Sequence, residues 1–266
     1  MEAPIGVIDS GVGGLTVAKE IMRLLPNETI YYIGDTARCP YGPRPRYEVR
    51  NFTWQMAKAL EKKGIKLLVI ACNTATAVAL NSLQKYFSVP VIGVVNPGAR
   101  AAIKNTKRYE VAVLATKGTV ESGAYEEAIA SLSSSTHVVP LACPTFVPLV
   151  ESGEYKSSLA KSIVQQGLKP LKDASFDTVI LGCTHYPILQ HYIEDVVGQG
   201  VTVLSSAEET AKDVQEILAQ RGELATGTPQ HKFFATGSVP IFKDIAQDWL
   251  GLEQTEVARI TLTSND

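Results

Sequence analysis

Val69-Ile70-Ala71-Cys72-Asn73-Thr74-Ala75-Thr76 runs from an unbroken apolar segment into a cysteine, then into small hydrogen-bonding residues and a helical pattern. Val179-Ile180-Leu181-Gly182-Cys183-Thr184-His185 repeats that plan further along the chain. An apolar run without alternation reads as a strand buried on both faces, as in a parallel sheet covered by helices. The echo therefore points to an α/β fold with two similar halves. The chain has four cysteines, so finding two of them at matching strand ends is informative. Two opposed thiols could take a proton from one face of a carbon and return one to the other.

Outward from these stretches, strand-like and helix-like segments alternate. Strands are expected at 5–8, 29–33, 67–71, 91–94, 111–115, 137–141, 178–181, 201–204 and 232–235. Helical spacing covers 15–25, 47–63, 76–87, 125–132, 159–171 and 208–221. Such alternation argues for parallel sheets, whose ligands bind beyond the carboxyl ends of the strands. Asn96-Pro97-Gly98 reads as a turn where the chain passes between halves, and Ser205-Ser206 as a second passage.

Bulk properties exclude several classes. The 266 residues are 45% hydrophobic and 20% charged, with net charge -2. That balance does not suit nucleic-acid binding by bulk electrostatics. No apolar run approaches the roughly 20 residues of a membrane span. Met1-Glu2-Ala3-Pro4 has no basic segment of a signal peptide, so a cytoplasmic protein is expected. Cys39, Cys72, Cys143 and Cys183 form no CxxC pair, and no disulfide is expected in a reducing compartment.

The candidate chemistry gathers at the ends of strands. Cys72 and Cys183 stand where helix-start amides favour an anion, which is expected to lower a thiol pKa. Asn73, Thr74 and Thr184 follow the thiols and offer donors to a carboxylate, or simply cap helices. His185, two residues beyond Cys183, is placed to share a proton with it. Asp9-Ser10-Gly11-Val12-Gly13-Gly14 resembles a phosphate loop, but Thr16 stands where the last glycine is required. Its glycines are expected to let backbone approach a small ligand. Asp9 could assist a thiol or cap the next helix. Cys39-Pro40-Tyr41-Gly42-Pro43 is a rigid loop of the kind that lines sites. Thr116 and Thr119 begin a further helix-like stretch, again suiting an anion. Glu151, taken alone, reads as an exposed helix-end charge. A metal site from Cys72, Cys183 and His185 lacks paired ligand spacing, so no metal is expected. A Cys-His nucleophile would leave the second thiol unexplained.

Together, Asp9-Ser10-Gly11-Val12-Gly13-Gly14-Leu15, Pro40-Tyr41-Gly42, Cys72-Asn73-Thr74-Ala75, Pro97-Gly98-Ala99 and Gly182-Cys183-Thr184-His185-Tyr186-Pro187 resemble the glutamate racemase family. The motifs run in that family's order from residue 5 to about residue 250. The resemblance implies cofactor-independent interconversion of L- and D-glutamate, supplying D-glutamate for bacterial peptidoglycan. It implies two α/β domains with mainly parallel sheets facing each other across a central cleft. The first would be residues 1–97 plus 207–266, and the second residues 98–206. It makes Cys72 and Cys183 catalytic, Cys72 acting on D-glutamate and Cys183 on L-glutamate. Asp9, His185 and Glu151 would assist them, while Ser10, Tyr41, Gly42, Asn73, Thr74, Thr116, Thr119 and Thr184 would bind substrate. A homodimer with no nucleic-acid or membrane partner is expected. Ser205-Ser206-Ala207-Glu208-Glu209-Thr210 departs from the family's Ser-Gly-Ala-Glu-Thr at a domain connection. Aspartate or hydantoin racemisation uses the same two-thiol logic, and an amino-acid-binding protein could use the same cleft without paired thiols.

Overall fold

The computed structural model describes residues 2–253 and 255–263. Its strands are β1 (Ile5–Asp9), β2 (Ile30–Gly34), β3 (Leu67–Ile70), β4 (Val91–Gly93), β5 (Glu110–Ala115), β6 (His137–Ala142), β7 (Thr178–Gly182), β8 (Thr202–Ser205), β9 (Lys232–Ala235) and β10 (Val257–Arg259). They form a six-stranded sheet ordered β10-β9-β2-β1-β3-β4 and a four-stranded sheet ordered β6-β5-β7-β8. Every pairing between them is parallel. β1, β3 and β7 are buried along their whole length, which is why they read as unbroken apolar runs. Pro140 lies in β6, an edge strand where a missing ladder donor is tolerated.

The connecting helices are α1 (Leu15–Leu24), α2 (Arg46–Glu61), α3 (Asn73–Tyr86), α4 (Val95–Asn105), α5 (Lys117–Ser122), α6 (Ala124–Leu132), α7 (Phe146–Glu151), α8 (Leu159–Leu168), α9 (Gln190–Val197), α10 (Ala207–Arg221) and α11 (Val239–Leu250). One expectation fails here: Asn96-Pro97-Gly98 is the first turn of α4 and no reverse turn. First-turn amides have no intrahelical partner, so proline is accepted there. Gly98 then closes the turn, its amide donating to the Val94 carbonyl. β10 escaped the sequence reading because it is three residues long and partly exposed at the sheet edge, with little apolar signal.

α4 packs on β7 and β8, and α10 packs on both α1 and α4. The chain then returns to the first sheet. Lys66 pairs with Glu28 at 2.7 Å and donates to the Glu223 carbonyl, while Glu28 accepts from the Ala225 amide. One apolar cluster joins the two sheets, running from Val7 and Val69 through Leu15 and Ile21 to Val179, Tyr186 and Val214.

Candidate active site

Strand order determines where the functional side chains meet. From β1 the chain moves to β2 on one side and then to β3 on the other; from β5 it moves to β6 and then to β7 across β5. Each sheet therefore reverses its winding once, between β1 and β3 and between β5 and β7. The helices diverge at such a point and leave a crevice at the strands' carboxyl ends. Asp9 ends β1, Cys72 follows β3, Thr116 follows β5 and Cys183 follows β7.

Cys72 is the N-cap of α3, with Sγ accepting from the Ala75 amide at 3.5 Å. The expected depression of its pKa is absent. Burial, reinforced by the nearby Asp9 charge, pushes the thiol up to about 12, against the opposing hydrogen bonds of the Ala75 amide and Ser10. Desolvation outweighs the helix dipole because the sulfur has almost no access to water. Asp9 is fully buried, and burial raises its pKa despite the attraction of His185. Its Oδ2 accepts from the Gly11 amide at 3.0 Å, and its Oδ1 accepts from the Thr184 hydroxyl at 3.2 Å.

Cys183 has a different setting. No α-helix starts at Thr184; a 3-10 turn over Tyr186–Leu189 comes first, followed by α9. His185 Nδ1 lies 3.7 Å from Cys183 Sγ, and Nε2 lies 2.6 Å from Glu151 Oε1. Burial alone would lower the His185 pKa, but hydrogen bonds to Cys183 and Glu151 raise it well above 6.5. For Glu151, burial is outweighed by its bond to His185, and the carboxyl sits below its usual range. Glu151 is thus the carboxylate of an ion pair at the end of α7, with its side chain 26% exposed. Sequence alone made it a solvated charge because its partner lies 34 residues away.

The glycine loop serves a purpose other than the one its resemblance suggests. A Cβ on Gly13 would collide with His185 Nδ1 and Thr184 Oγ1. A Cβ on Gly11 would lie 2.7 Å from Glu151 Oε1. These glycines admit side chains from the second sheet's loops.

The remaining candidates join the two sides. Thr74 Oγ1 lies 2.9 Å from Thr116 Oγ1 and 3.1 Å from Thr119 Oγ1, and those two lie 3.1 Å apart. The Gly118 amide donates to the Gly42 carbonyl at 3.0 Å, and the Tyr125 hydroxyl donates to Asn73 Oδ1 at 2.7 Å. Ser10 is buried beside Cys72. The Tyr41 ring is buried, and its hydroxyl donates to Asp35 Oδ2. Cys72 and Cys183 are only 5% and 6% exposed, so both thiols are buried.

Two residues were missed, Asp35 and Tyr125. Asp35 accepts from Tyr41, Arg38 and Thr236 and so anchors the 39–43 loop. Its signal was available, because it directly follows β2 as Asp9 ends β1. Tyr125 reaches Asn73 across 52 residues and carries no local signal. Cys39, in the loop singled out from the sequence, lies with Sγ 3.6 Å from Glu151 Oε1.

A profile of the family described as Asp/Glu/Hydantoin racemase matches residues 5–214. The chain belongs to that racemase family. A glutamate racemase of Lysinibacillus sphaericus (strain C3-41) is 73% identical over 264 residues, 98% of this chain and 100% of the relative. Among solved structures of such racemases, a glutamate racemase isoform from Bacillus anthracis superposes with TM-score 0.95 at 50% identity, covering 98% of both chains. A Francisella tularensis glutamate racemase in complex with D-glutamate gives 0.91 at 33% identity, covering 99% of both.

Proposed function

We propose that this chain interconverts L- and D-glutamate without a cofactor, using Cys183 and Cys72 as paired acid and base. The supporting observation is that two buried thiols stand at the winding reversals of two facing sheets, each with its own proton-handling partner. In the L-to-D direction the Cys183 thiolate removes the α-proton, and the Cys72 thiol delivers one to the opposite face. A thiol held at about 12 is protonated and ready to donate. His185, held by Glu151, keeps a positive charge 3.7 Å from the Cys183 sulfur. Asp9 assists Cys72. In the D-to-L direction the two thiols exchange roles. The assisting groups are positioning residues, and the thiols are the catalytic ones.

Substrate carboxylates are assigned to Ser10, Asn73, Thr74, Thr116, Thr119 and Thr184, with Tyr41 and Gly42 shaping the wall. The hydroxyls of Thr74, Thr116 and Thr119 bond one another, and each can turn its proton to a carboxylate oxygen instead. Aspartate is one methylene shorter and would leave donors unpaired, at a cost of about 10²-fold or more in kcat/KM. The two units of the mechanism are residues 1–97 with 207–266 and residues 98–206, with α4 and α10 at their junction. Supply of D-glutamate for peptidoglycan, a cytoplasmic location and a homodimeric assembly belong to the same reading. No described helix is long and apolar enough to cross a membrane.

The test is circular dichroism of L-glutamate with dialysed, chelator-treated protein and no added cofactor. Loss of ellipticity to zero is expected. An equal or better rate on aspartate would replace glutamate as the substrate. No rate on either, or activity restored only by an added cofactor, would overturn the proposal.

A further inference from the structure

Cys39, Glu151 and His185 bring a thiol, a carboxylate and an imidazole together, with their ligand atoms all within 4.8 Å of one another. Glu151 Oε1 is the hub, 2.6 Å from His185 Nε2 and 3.6 Å from Cys39 Sγ. Cys39 lies outside the echoed strand ends, and the proposed proton transfer does not use it. Glycine at position 11 keeps one side of the cluster free of a side chain, since a Cβ there would meet both Glu151 and Cys39.

Sulfur, nitrogen and oxygen donors in this mixture suit zinc, whose bonds run about 2.3 Å to sulfur and about 2.0–2.2 Å to nitrogen and oxygen. On a tetrahedral centre such bonds set ligand atoms roughly 3.3–3.7 Å apart. The sulfur–oxygen pair already has that separation. The nitrogen–oxygen pair must open by under about 1 Å, which the partly exposed Glu151 side chain at the end of α7 can provide.

We propose that Cys39, Glu151 and His185 form an inhibitory site for a thiophilic divalent cation, of which zinc is the representative. On binding, the Cys39 thiol proton and the proton shared by His185 and Glu151 leave to solvent. The three side chains and one water complete the coordination. The cation takes the place of the proton between His185 Nε2 and Glu151, so His185 is fixed as a metal ligand and can no longer exchange a proton there. It also staples the two halves, because Cys39 follows β2 in the first sheet, whereas His185 follows β7 and Glu151 ends α7 on the other side. Racemisation then stops with the site shut. The loss of activity rests on the proposed role of His185, but the binding itself does not.

The experiment titrates chelator-treated protein with cobalt and with zinc, reading absorbance, calorimetry and racemisation in parallel. Wild type is expected to develop a thiolate-to-cobalt charge-transfer band at one equivalent and to lose racemisation with zinc over the same range. Cys39→Ser should keep its basal racemisation, lose the band and weaken zinc inhibition by about 100-fold, since even outer-shell losses at metal sites reach about that size. His185→Asn should lose the band as well, and Cys143→Ser should retain it. The absence of a band in wild type would overturn the site. So would a Cys39→Ser protein with unchanged band and inhibition, which would place the metal on Cys72 or Cys183. A band without racemisation in untreated wild type would leave the site standing and sink the functional reading instead.

Discussion

The Cys72 and Cys183 turns occupy equivalent places in the two sheets, yet their surroundings differ. Cys72 caps a 14-residue helix and faces a buried carboxyl, Asp9. Cys183 precedes a 3-10 turn and faces an imidazole braced by Glu151. A fully symmetric pair would favour the same protonation state at both sulfurs, which is useless for a two-base transfer. The difference assigns one thiol to hold its proton and gives the other a cationic neighbour. Duplicated topology supplied the matching positions, and unequal partners gave the two sulfurs different electrostatic surroundings.

The largest expected effects strike the thiols. Cys72→Ser and Cys183→Ser should each reduce racemisation by about 10⁴-fold or more, at the upper end of what one acid or base contributes. Racemisation in deuterated water, following optical rotation and α-deuterium together, separates them. Wild type should place deuterium mainly in the newly formed enantiomer. Near-normal racemisation by either variant would end the two-thiol account.

Next come the partners. His185→Asn and Asp9→Asn should each lower kcat/KM by about 10²-fold. The loss must be equal in both directions, because racemisation has an equilibrium constant of one. The asymmetry should appear in isotope effects. His185→Asn should enlarge the primary effect with α-deuterated L-glutamate, and Asp9→Asn should enlarge it with the D-enantiomer. Identical effects in both variants would mean that the two environments are interchangeable.

Removal of one hydroxyl from the threonine cluster should cost less. Thr116→Val should raise KM for glutamate by about tenfold, the value of roughly one hydrogen bond, with kcat changed less. A pure kcat loss would move Thr116 from binding to the chemistry.

The smallest effect is on stability. The His185 pKa is raised above 6.5, so its contribution is complete below that value and fades as pH climbs through the raised folded pKa. The Glu151 pKa is lowered below 4.5, so its contribution is complete above that value and fades at lower pH. The pair should therefore stabilise most between 4.5 and 6.5. Glu151→Gln should cost about 2 kcal/mol there, as for a charged hydrogen bond. Thermal unfolding of both proteins across pH 5–9 checks this, and a gap that widens at high pH would refute the ion pair.

The sequence by itself determined the strands from β1 to β9 and the two strand-end cysteines. Both signals are local: a strand buried on both faces must be apolar throughout, and a crossover helix must follow it. Glu151 gained its proposed role from the resemblance alone, and Tyr41 carried only the weak signal of a rigid proline-glycine loop before the resemblance raised it. The reading of Asn96-Pro97-Gly98 as a turn failed because proline and glycine punctuate turns and first helical turns alike. Only the assembled packing of α4 on β7 and β8 separates the two. Tertiary structure alone decided the acid–base character of the site. It buried the Cys72 sulfur until desolvation overcame the helix dipole. It also folded Glu151 onto His185 and set Cys39 beside them. A pKa depends on every charge and water within a few ångströms, and chain order does not record which distant residues will supply them.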